Sequence, residues 1–591
     1  MMDETRVCQN CKKDFVIEPD DFLFYEKMKV PAPTFCSECR LVRRFAWRNE
    51  KSLYKRLCDK CGKGIVSVFS KETELTVYCG PCWWSDSWDG LNYGVDYDPN
   101  KLFLAQVREL FQRTPALANY TVTSTVENSD YVSMAAHLKN CYLTTYSDFN
   151  EDCLYASFIL YSKGCVDNLM VDHCEFVYES VNCQKCYQTF FSVDSEGCHD
   201  VSFCRDCVGC SNCFGCSNLR NKRYHIFNEP YSKEEYEKKM RDMMPWTWAN
   251  IRSMQDQSEK FWMRFPRKFM HERRNSSVSG DYIFNSKNVH DSYVCHHIEN
   301  SRFCSYVTEA RDCYDGTNYA TGTELMYEFL QCGNDGSRIM CSWWACNGNR
   351  QAEYSMFPIG CKNVFGCVGL KKKEYCILNK QYDKESFDKL RKEIIVQMDK
   401  NPYIDKQGSI YKYGEFFPVE LSPFGYNETT AQEFFPFRED EAREKGYGWK
   451  VFEKRDYKPT IQPNEIPDLI DAVQDSILQE IIACEHQGKC GEQCVGAFKI
   501  VQQELDFYRR MKLPLPLLCP NCRHHARLKW RNPATLTRRQ CMCAGRHAGV
   551  YANTVTHVHG DAPCPNEFET SYAPNRQEIV YCEQCYNAEV V

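Results

Sequence analysis

The amino-acid sequence predicts a mainly β, multidomain protein in which two cysteine-rich modules flank a duplicated parallel β-solenoid with short capping helices. One cysteine-rich stretch occurs twice, as residues 24–63 and 507–546, in a register without gaps. In the middle of the chain, cysteines recur at nine-residue spacing among short segments rich in Tyr, Val and Ser, a pattern typical of a solenoid. The motif that closes the first of these regions, at 212–240, returns at 363–390.

Length and composition favour several folded domains. The chain has 591 residues, of which 43% are apolar and 14% aromatic, so it exceeds a single core and is not disordered. The expected divisions are a double zinc-knuckle module at 1–90, a first solenoid region with its capping helix at 91–240, a linker at 241–275, a second solenoid region with its capping helix at 276–400, a bridging arm rich in Pro and aromatic residues at 401–480, and a C-terminal zinc module at 481–591.

The sequence also suggests where the protein works. No apolar run approaches the ~20 residues needed to cross a bilayer, and the first residues lack the apolar core of a signal peptide. We therefore expect a cytoplasmic protein without a membrane partner, whose 39 cysteines are thiols or metal ligands rather than disulfides. The net charge of −7 argues against a wholly basic nucleic-acid-binding protein but allows local basic patches.

The N-terminal module contains four C-x-x-C pairs, and two such pairs complete a tetrahedral zinc site. Four cysteine ligands leave no position for water, so we expect structural ions. The sequential pairing assigns one ion to Cys8, Cys11, Cys36 and Cys39 and another to Cys58, Cys61, Cys79 and Cys82. A cross-braced pairing of the same residues is the alternative.

Residues 8–44 resemble a known family. The stretch CQNCKKDFVIEPDDFLFYEKMKVPAPTFCSECRLVRR is similar to the "probable zinc-ribbon domain" of many small bacterial proteins, with its C-x-x-C, F-Y-x-K and P-x-x-C-x-x-C-R steps. The whole chain resembles uncharacterised multi-zinc-ribbon bacterial proteins. The resemblance implies a zinc-binding fold of the zinc-ribbon or treble-clef type and implies no activity.

The closing module repeats this arrangement with altered spacing. We expect one ion at Cys490, Cys494, Cys519 and Cys522 and another at Cys541, Cys543, Cys582 and Cys585, which gives about four structural zinc ions in the chain. An insert reads H-V-H-G-D-A and carries His557, His559, Asp561 and Cys564. It is similar to the H-x-H-x-D-H motif of metallo-hydrolases, but Ala562 stands where the last His belongs. This favours an alternative zinc ligand or a surface loop over a catalytic metal.

Both modules are locally basic. Residues 507–546 contain ten Lys or Arg and no acid, and aromatic residues lie among the basic ones in both copies. Such a surface can contact phosphates and stack on bases. The alternative is that these cations only offset the charge of the zinc–thiolate sites. The candidate nucleic-acid contacts are Arg40, Arg43, Arg44, Trp47, Arg48, Arg523, Arg527, Lys529, Trp530 and Arg531.

In the solenoid regions we expect each coil to hold two or three nine-residue units, with the cysteines as small buried side chains. The run of C-x-x-C steps from Cys204 to Cys216 superficially resembles an iron–sulfur motif. However, Cys213 is matched by Val364 in the second copy, which disfavours a cluster.

Three functions follow from these observations. The first is a non-enzymatic zinc-binding scaffold whose basic modules bind RNA, DNA or a ribonucleoprotein. The alternative is a protein-interaction or structural assembly protein that uses the solenoid surface, and the second alternative is a metal-dependent or redox enzyme. The sequence carries no phosphate loop, nucleophile elbow or dinucleotide fingerprint, so we identify no catalytic residue and lean away from an enzyme.

Overall fold

The computed structural model describes residues 2–452, 457–547 and 550–591. It is rich in β-strands, many of them in parallel sheets, but strands account for 29% of the structure and helices for 24%. The expectation of a mainly β protein therefore understates the helical part. Within the described residues, no helix combines the length and the apolar character needed to cross a membrane.

The first cysteine module consists of two antiparallel hairpins, β1–β2 and β3–β4, with short helices between and after them. The elements up to residue 117 are β1 (Glu4–Val7), β2 (Asp14–Ile17), α1 (Pro19–Met28), α2 (Ser37–Phe45), β3 (Tyr54–Leu57), β4 (Gly64–Ser67), β5 (Val77–Tyr78), α3 (Gly80–Trp84), α4 (Phe103–Arg113) and β6 (Ala116–Leu117).

Next comes a set of strands, parallel except for the last pair, that we call the first stack (residues 126–230). Its strands are β7 (Val126–Glu127), β8 (Ser133–Lys139), β9 (Thr145–Glu151), β10 (Ser157–Leu160), β11 (Leu169–Asp172), β12 (Glu175–Tyr178), β13 (Val181–Gln184), β14 (Tyr187–Phe190), β15 (His199–Ser202), β16 (Ser211–Phe214), β17 (Arg223–Ile226) and β18 (Glu229–Pro230). They form two six-stranded sheets. Ser157 pairs with Thr145 on one side and Leu169 on the other, a shift of twelve residues each time. One turn of the stack, which we call a rung, is therefore twelve residues long. It is shorter than the two or three nine-residue units that we predicted for each coil.

The backbone of the first stack turns at every third residue. Asn140, Leu143, Tyr146 and Phe149 all have φ between +51° and +55°, and the pattern continues along the stack. A left-handed residue other than glycine costs about 1–2 kcal/mol, and Asn and Asp tolerate this conformation best. This explains the Asn-Cys and Asp-Cys steps of the sequence. The Asn or Asp adopts the left-handed conformation, and the cysteine that follows is buried.

A twelve-residue rung encloses a narrow interior, which suits small side chains. The buried cluster inside the first stack is made mostly of cysteines together with Val, Ala, Leu and Ile. The thiols donate to carbonyl oxygens of neighbouring rungs. Cys165 Sγ, for example, lies 3.6 Å from the carbonyl oxygen of Cys174. Because the backbone turns at every third residue, a twelve-residue rung has sides of three residues. Cysteines nine residues apart are therefore separated by one rung less one side.

The second stack (residues 272–381) repeats this construction after two connecting helices, α5 (Lys233–Met243) and α6 (Trp248–Trp262), and the short strand β19 (Arg267–Lys268). Its eleven-stranded sheet comprises β20 (Glu272–Arg273), β21 (Ser276–Phe284), β22 (Lys287–His296), β23 (Glu299–Arg302), β24 (Ala310–Thr317), β25 (Thr323–Leu330), β26 (Ser337–Met340), β27 (Arg350–Glu353), β28 (Lys362–Phe365), β29 (Glu374–Ile377) and β30 (Lys380–Gln381). Helix α5 begins with a capping box, in which the Ser232 hydroxyl accepts from Glu235 N–H and the Glu235 carboxylate accepts from Ser232 N–H.

Helix α7 (Lys384–Lys400) leads into the arm, which contains β31 (Tyr403–Ile404), β32 (Ile410–Tyr411), α8 (Thr430–Phe434) and α9 (Glu439–Glu444). The C-terminal module comprises β33 (Ile482–Ala483), β34 (Ala497–Phe498), α10 (Gln502–Met511), α11 (Pro520–Leu528), β35 (Thr537–Gln540), β36 (Glu567–Thr570), β37 (Val580–Tyr581) and α12 (Glu583–Val590). Part of the arm packs in one core with the first module and the second stack.

The two modules pack crosswise on the two stacks. The N-terminal module shares its core with the second stack, where Phe24 lies flat on Tyr314 with ring centroids 3.9 Å apart. The C-terminal module shares its core with the first stack, where Tyr508 meets Tyr178 edge-on at 5.7 Å. Each module therefore covers the stack of the other half of the chain.

Buried arginines fasten the N-terminal module to the second stack. Arg44 Nη1 lies 3.2 Å from Asp315 Oδ1 and 2.7 Å from Glu328 Oε2. Arg40 Nε lies 2.9 Å from the same Asp315 oxygen, and Arg43 Nη2 lies 2.5 Å from Glu328 Oε1. Burial raises the pKa of Glu328, but the guanidiniums of Arg43 and Arg44 outweigh it, and the net pKa is lowered.

The C-terminal module repeats this contact on the first stack. Arg523, which the sequence repeat aligns with Arg40, pairs with Asp167. Arg527 aligns with Arg44, and its Nη1 lies 3.1 Å from Asp167 Oδ1 and 3.4 Å from Glu179 Oε1. The two halves are thus joined by matching sets of buried ion pairs.

We expect Glu328→Gln to destabilise the protein by about 3–5 kcal/mol, because removing one partner leaves buried guanidiniums without compensation. The midpoint of urea or thermal unfolding measures the effect. Glu324→Gln is the matched control, since Glu324 pairs with Arg311 on the surface, where both side chains are about half exposed. Equal shifts in the two variants would contradict the bracing role of Glu328.

A histidine links the two stacks to each other. His271 Nδ1 lies 2.9 Å from Asp281 Oδ1, and its Nε2 lies 3.6 Å from Asp194 Oδ2 of the first stack. Burial alone lowers the pKa of His271, but the nearby Asp281, Tyr572 and Asp194 more than offset it and raise the pKa well above 6.5.

A raised folded-state pKa means that the contribution of His271 is complete below the unfolded-state pKa of about 6.5 and is lost as the pH rises through the folded-state value. The difference in unfolding free energy between the unaltered chain and His271→Gln should therefore shrink as the pH rises above 6.5. Chemical denaturation at a series of pH values measures it. A difference in unfolding free energy that grows as the pH rises would contradict the raised pKa of His271.

Candidate metal centres

Four tetracysteine clusters share one construction. In each, a cysteine that follows a short strand accepts a hydrogen bond from the backbone N–H of a cysteine that begins a helix. The N–H to Sγ distances are 3.3 Å for Cys36 to Cys8, 3.2 Å for Cys79 to Cys58, 3.2 Å for Cys519 to Cys484 and 3.2 Å for Cys582 to Cys541. The positive end of a helix and such N–H donors both favour a thiolate, which is the form that binds metal.

The geometry of these clusters suits four-coordinate metal binding. Within each cluster the ligand atoms lie within 4.8 Å of one another. The Cys11 and Cys36 sulfurs are 3.7 Å apart, and those of Cys61 and Cys79 are 3.9 Å apart. A tetrahedral site with metal–sulfur bonds of about 2.3 Å has sulfur–sulfur edges of about 3.8 Å. The structure groups the eight N-terminal ligands sequentially, rather than in the cross-braced alternative.

The third cluster contains one residue that sequence reasoning missed. It consists of Cys484, Cys494, Cys519 and Cys522, so Cys484 takes the place that we assigned to Cys490. Strands β33 and β34 pair as β1 and β2 do, and they set Cys484 where Cys8 lies in the first module. Cys490 lies in the intervening loop, with its sulfur 3.6 Å from that of Cys522. Cys484 and Cys494 are ten residues apart rather than in a C-x-x-C step, and this spacing kept Cys484 out of our assignment.

The fourth cluster differs from our assignment in a similar way. It joins Cys541, Cys582 and Cys585 with Cys564, and Cys543 lies outside it. Cys564 is only 1% exposed, and its backbone N–H donates to the carbonyl oxygen of Cys543 at 2.8 Å. Cys564 has no cysteine neighbour at knuckle spacing, so only its place in the same insert as His557 and His559 marks it in the sequence.

The residues that we assigned to nucleic-acid contact do not form an exposed surface. Seven of them are at most 3% exposed, namely Arg40, Arg43, Arg44, Trp47, Arg48, Arg523 and Arg527. The arginines among them pair mainly with buried carboxylates, so a nucleic acid cannot reach their guanidiniums. The same contacts show that they do more than offset the charge of the cysteine clusters.

The three remaining candidates lie at the edge of the C-terminal module. Lys529 has a 71% exposed side chain. Trp530 is half-buried and meets Trp262 edge-on at 5.7 Å, while the Arg531 guanidinium stacks on Phe434 at 3.5 Å. Among the candidates, only Lys529 has a mostly exposed side chain, and its Nζ lies 3.3 Å from Glu492 Oε1.

No protein-family model matches the chain, and a search of curated proteins finds no match.

We expect Cys484→Ser to lose one bound metal ion per chain, because it removes a ligand of the third cluster, whereas Cys490→Ser should keep the full number. Elemental analysis of the purified variants measures the ratio. Both substitutions remove one thiol from the same loop region, so each controls for the other. Loss of an ion only in Cys490→Ser would restore our original assignment.

Proposed function

We propose that this chain is a non-enzymatic, zinc-stabilised scaffold. In this proposal its two stacks are the halves of a duplicated β-solenoid that presents a surface to a protein partner. One observation carries the proposal. The arginines of the basic helices in the cysteine modules pair with buried carboxylates of the stacks. These helices therefore stabilise the packing of the protein itself.

Structural zinc fits the cysteine clusters. Each offers four thiol ligands and leaves no position for a reacting water, which is the arrangement of structural zinc sites. All 39 cysteines are free of disulfides. Because α2 and α11 each begin at a cluster cysteine, an ion there holds the arginine helix at the correct distance from its stack.

The parallel register supports the solenoid. Successive strands are displaced by twelve residues in the first stack and by eleven to thirteen in the second. Such coils bury small side chains inside and repeat their outer side chains along the surface. Repetition of this kind creates long ladders of like residues, which suit an extended contact with a partner.

One such ladder lies exposed on the first stack. His137, Phe149, Tyr161 and His173 occupy equivalent positions on four successive rungs, and their rings stack with centroids 4.2, 5.0 and 4.7 Å apart. Phe149 is 46% exposed and Tyr161 is 51% exposed. We infer that this ladder is part of the partner-binding surface.

The orientation of the rings favours protein over nucleic acid. Neighbouring planes are tilted by only 7°, 6° and 23°, so the inner rings cover one another's faces and turn their edges outward. Bases bind aromatic residues by stacking on their faces. Exposed ring edges instead carry positive partial charge, which suits carbonyl and carboxylate groups of a protein.

The proposal predicts a partner that depends on the ladder. The full chain, immobilised and exposed to its native extract after nuclease treatment and at high salt, should retain a protein that Phe149→Ser/Tyr161→Ser loses. Both side chains point outward, so the double variant should keep its fold, which circular dichroism checks. Trp84→Ser is the matched control, because Trp84 is 44% exposed and lies in the N-terminal module.

Retention of the same protein by the ladder variant would contradict the assigned surface. Co-purifying RNA or DNA that dissociates as salt rises, with no ladder-dependent protein, would favour the nucleic-acid alternative.

A further inference from the structure

We propose that the C-terminal module holds a second metal ion beside its tetracysteine cluster, bound by Cys543, His557, His559 and Cys585. The site shares only Cys585 with the four clusters of the proposed function, and it rests on that function only in taking the metal as zinc. It uses the HVH insert, to which the scaffold assigns no role.

The four ligand atoms converge as a metal site requires. Cys543 Sγ lies 3.2 Å from His557 Nδ1 and 3.2 Å from His559 Nε2, and Cys585 Sγ lies 3.3 Å from His559 Nε2. With zinc–sulfur bonds of about 2.3 Å and zinc–nitrogen bonds of about 2.0–2.1 Å, a tetrahedral site has sulfur–nitrogen edges of about 3.5 Å. All four ligand atoms lie within 4.8 Å of one another.

The second nitrogen of each histidine is held by a separate partner. His557 Nε2 lies 3.3 Å from Glu589 Oε2, and His559 Nδ1 lies 2.6 Å from the carbonyl oxygen of Ala562. A ring N–H bonded in this way leaves the lone pair of the other nitrogen facing the site, and metal-binding histidines are held by the same kind of contact. The carboxylate of Glu589 is itself fixed by Tyr551 Oη at 3.0 Å and by Thr554 N–H at 2.8 Å.

The ligand count fits two ions that share one sulfur. The tetracysteine cluster and the proposed site have only Cys585 in common. Two tetrahedral ions with one bridging ligand need seven protein ligands, and the module supplies seven, namely Cys541, Cys543, His557, His559, Cys564, Cys582 and Cys585. A thiolate sulfur has enough lone pairs to bridge two zinc ions.

A second ion would organise a segment that has little other support. Between β35 and β36, the described residues contain only a single 3₁₀ turn as regular structure. Cys543 and His557 are nevertheless 1% and 5% exposed. Metal binding can supply the folding free energy that such a loop lacks, and four protein ligands again make the site structural rather than catalytic.

Elemental analysis of the full chain, purified in the presence of zinc, tests the proposal. We expect five zinc ions per chain and four in His559→Ala. His559→Cys should restore the fifth ion, because a thiolate replaces the lost nitrogen ligand. The exposed His297 of the second stack provides the matched control, and His297→Ala should keep five ions.

The possible outcomes separate this proposal from the previous one. Four ions in the unaltered chain, or five retained in His559→Ala, would overturn the second site and leave the scaffold intact. A chain that binds no zinc would overturn both. Cadmium-113 NMR of the substituted chain tests the bridge, since two ions sharing the Cys585 sulfur should show scalar coupling that the other three clusters lack. Absence of this coupling would overturn the shared ligand.

Discussion

Buried arginine–carboxylate pairs between each cysteine module and the opposite stack are the interaction on which this architecture depends. A buried ion pair contributes little net stability compared with apolar packing, but it is costly to break and demands correct geometry. Here the pairs occur twice in matching positions, with Arg40 and Arg44 facing Asp315 and Glu328, and Arg523 and Arg527 facing Asp167 and Glu179. They make the position of each module specific, while aromatic contacts around them supply apolar burial.

The cysteine clusters and the ion pairs act together. A helix as short as α2 or α11 has little stability of its own in water. A cluster cysteine begins each helix, and the arginines follow within two turns. The cysteine cluster and the carboxylates therefore hold the same segment from two sides. The clusters are therefore best understood as part of the interface between modules and stacks, rather than as independent small domains.

The sequence predicted those features that depend on local spacing. The C-x-x-C pairs of the first module and the repeated motifs depend on residues close together in the chain. Prediction from the sequence failed for features that depend on contacts between residues far apart in the chain. Cys484 and Cys564 join their cysteine clusters only through strand pairing and through the return of a loop. The side of α2 that faces the stack is set by carboxylates about 270 residues away, so the basic character of the helix was visible while its burial was not.

The crossed arrangement also has a consequence for synthesis. The N-terminal module emerges from the ribosome long before Asp315, which lies 271 residues after Arg44. At about 5–20 residues per second, its arginines wait roughly 15–50 s for their carboxylates. The C-terminal module meets a stack that has already been made. The two modules make matching contacts but acquire them at different times during synthesis. The N-terminal module is the one that must remain soluble before its stack has been made.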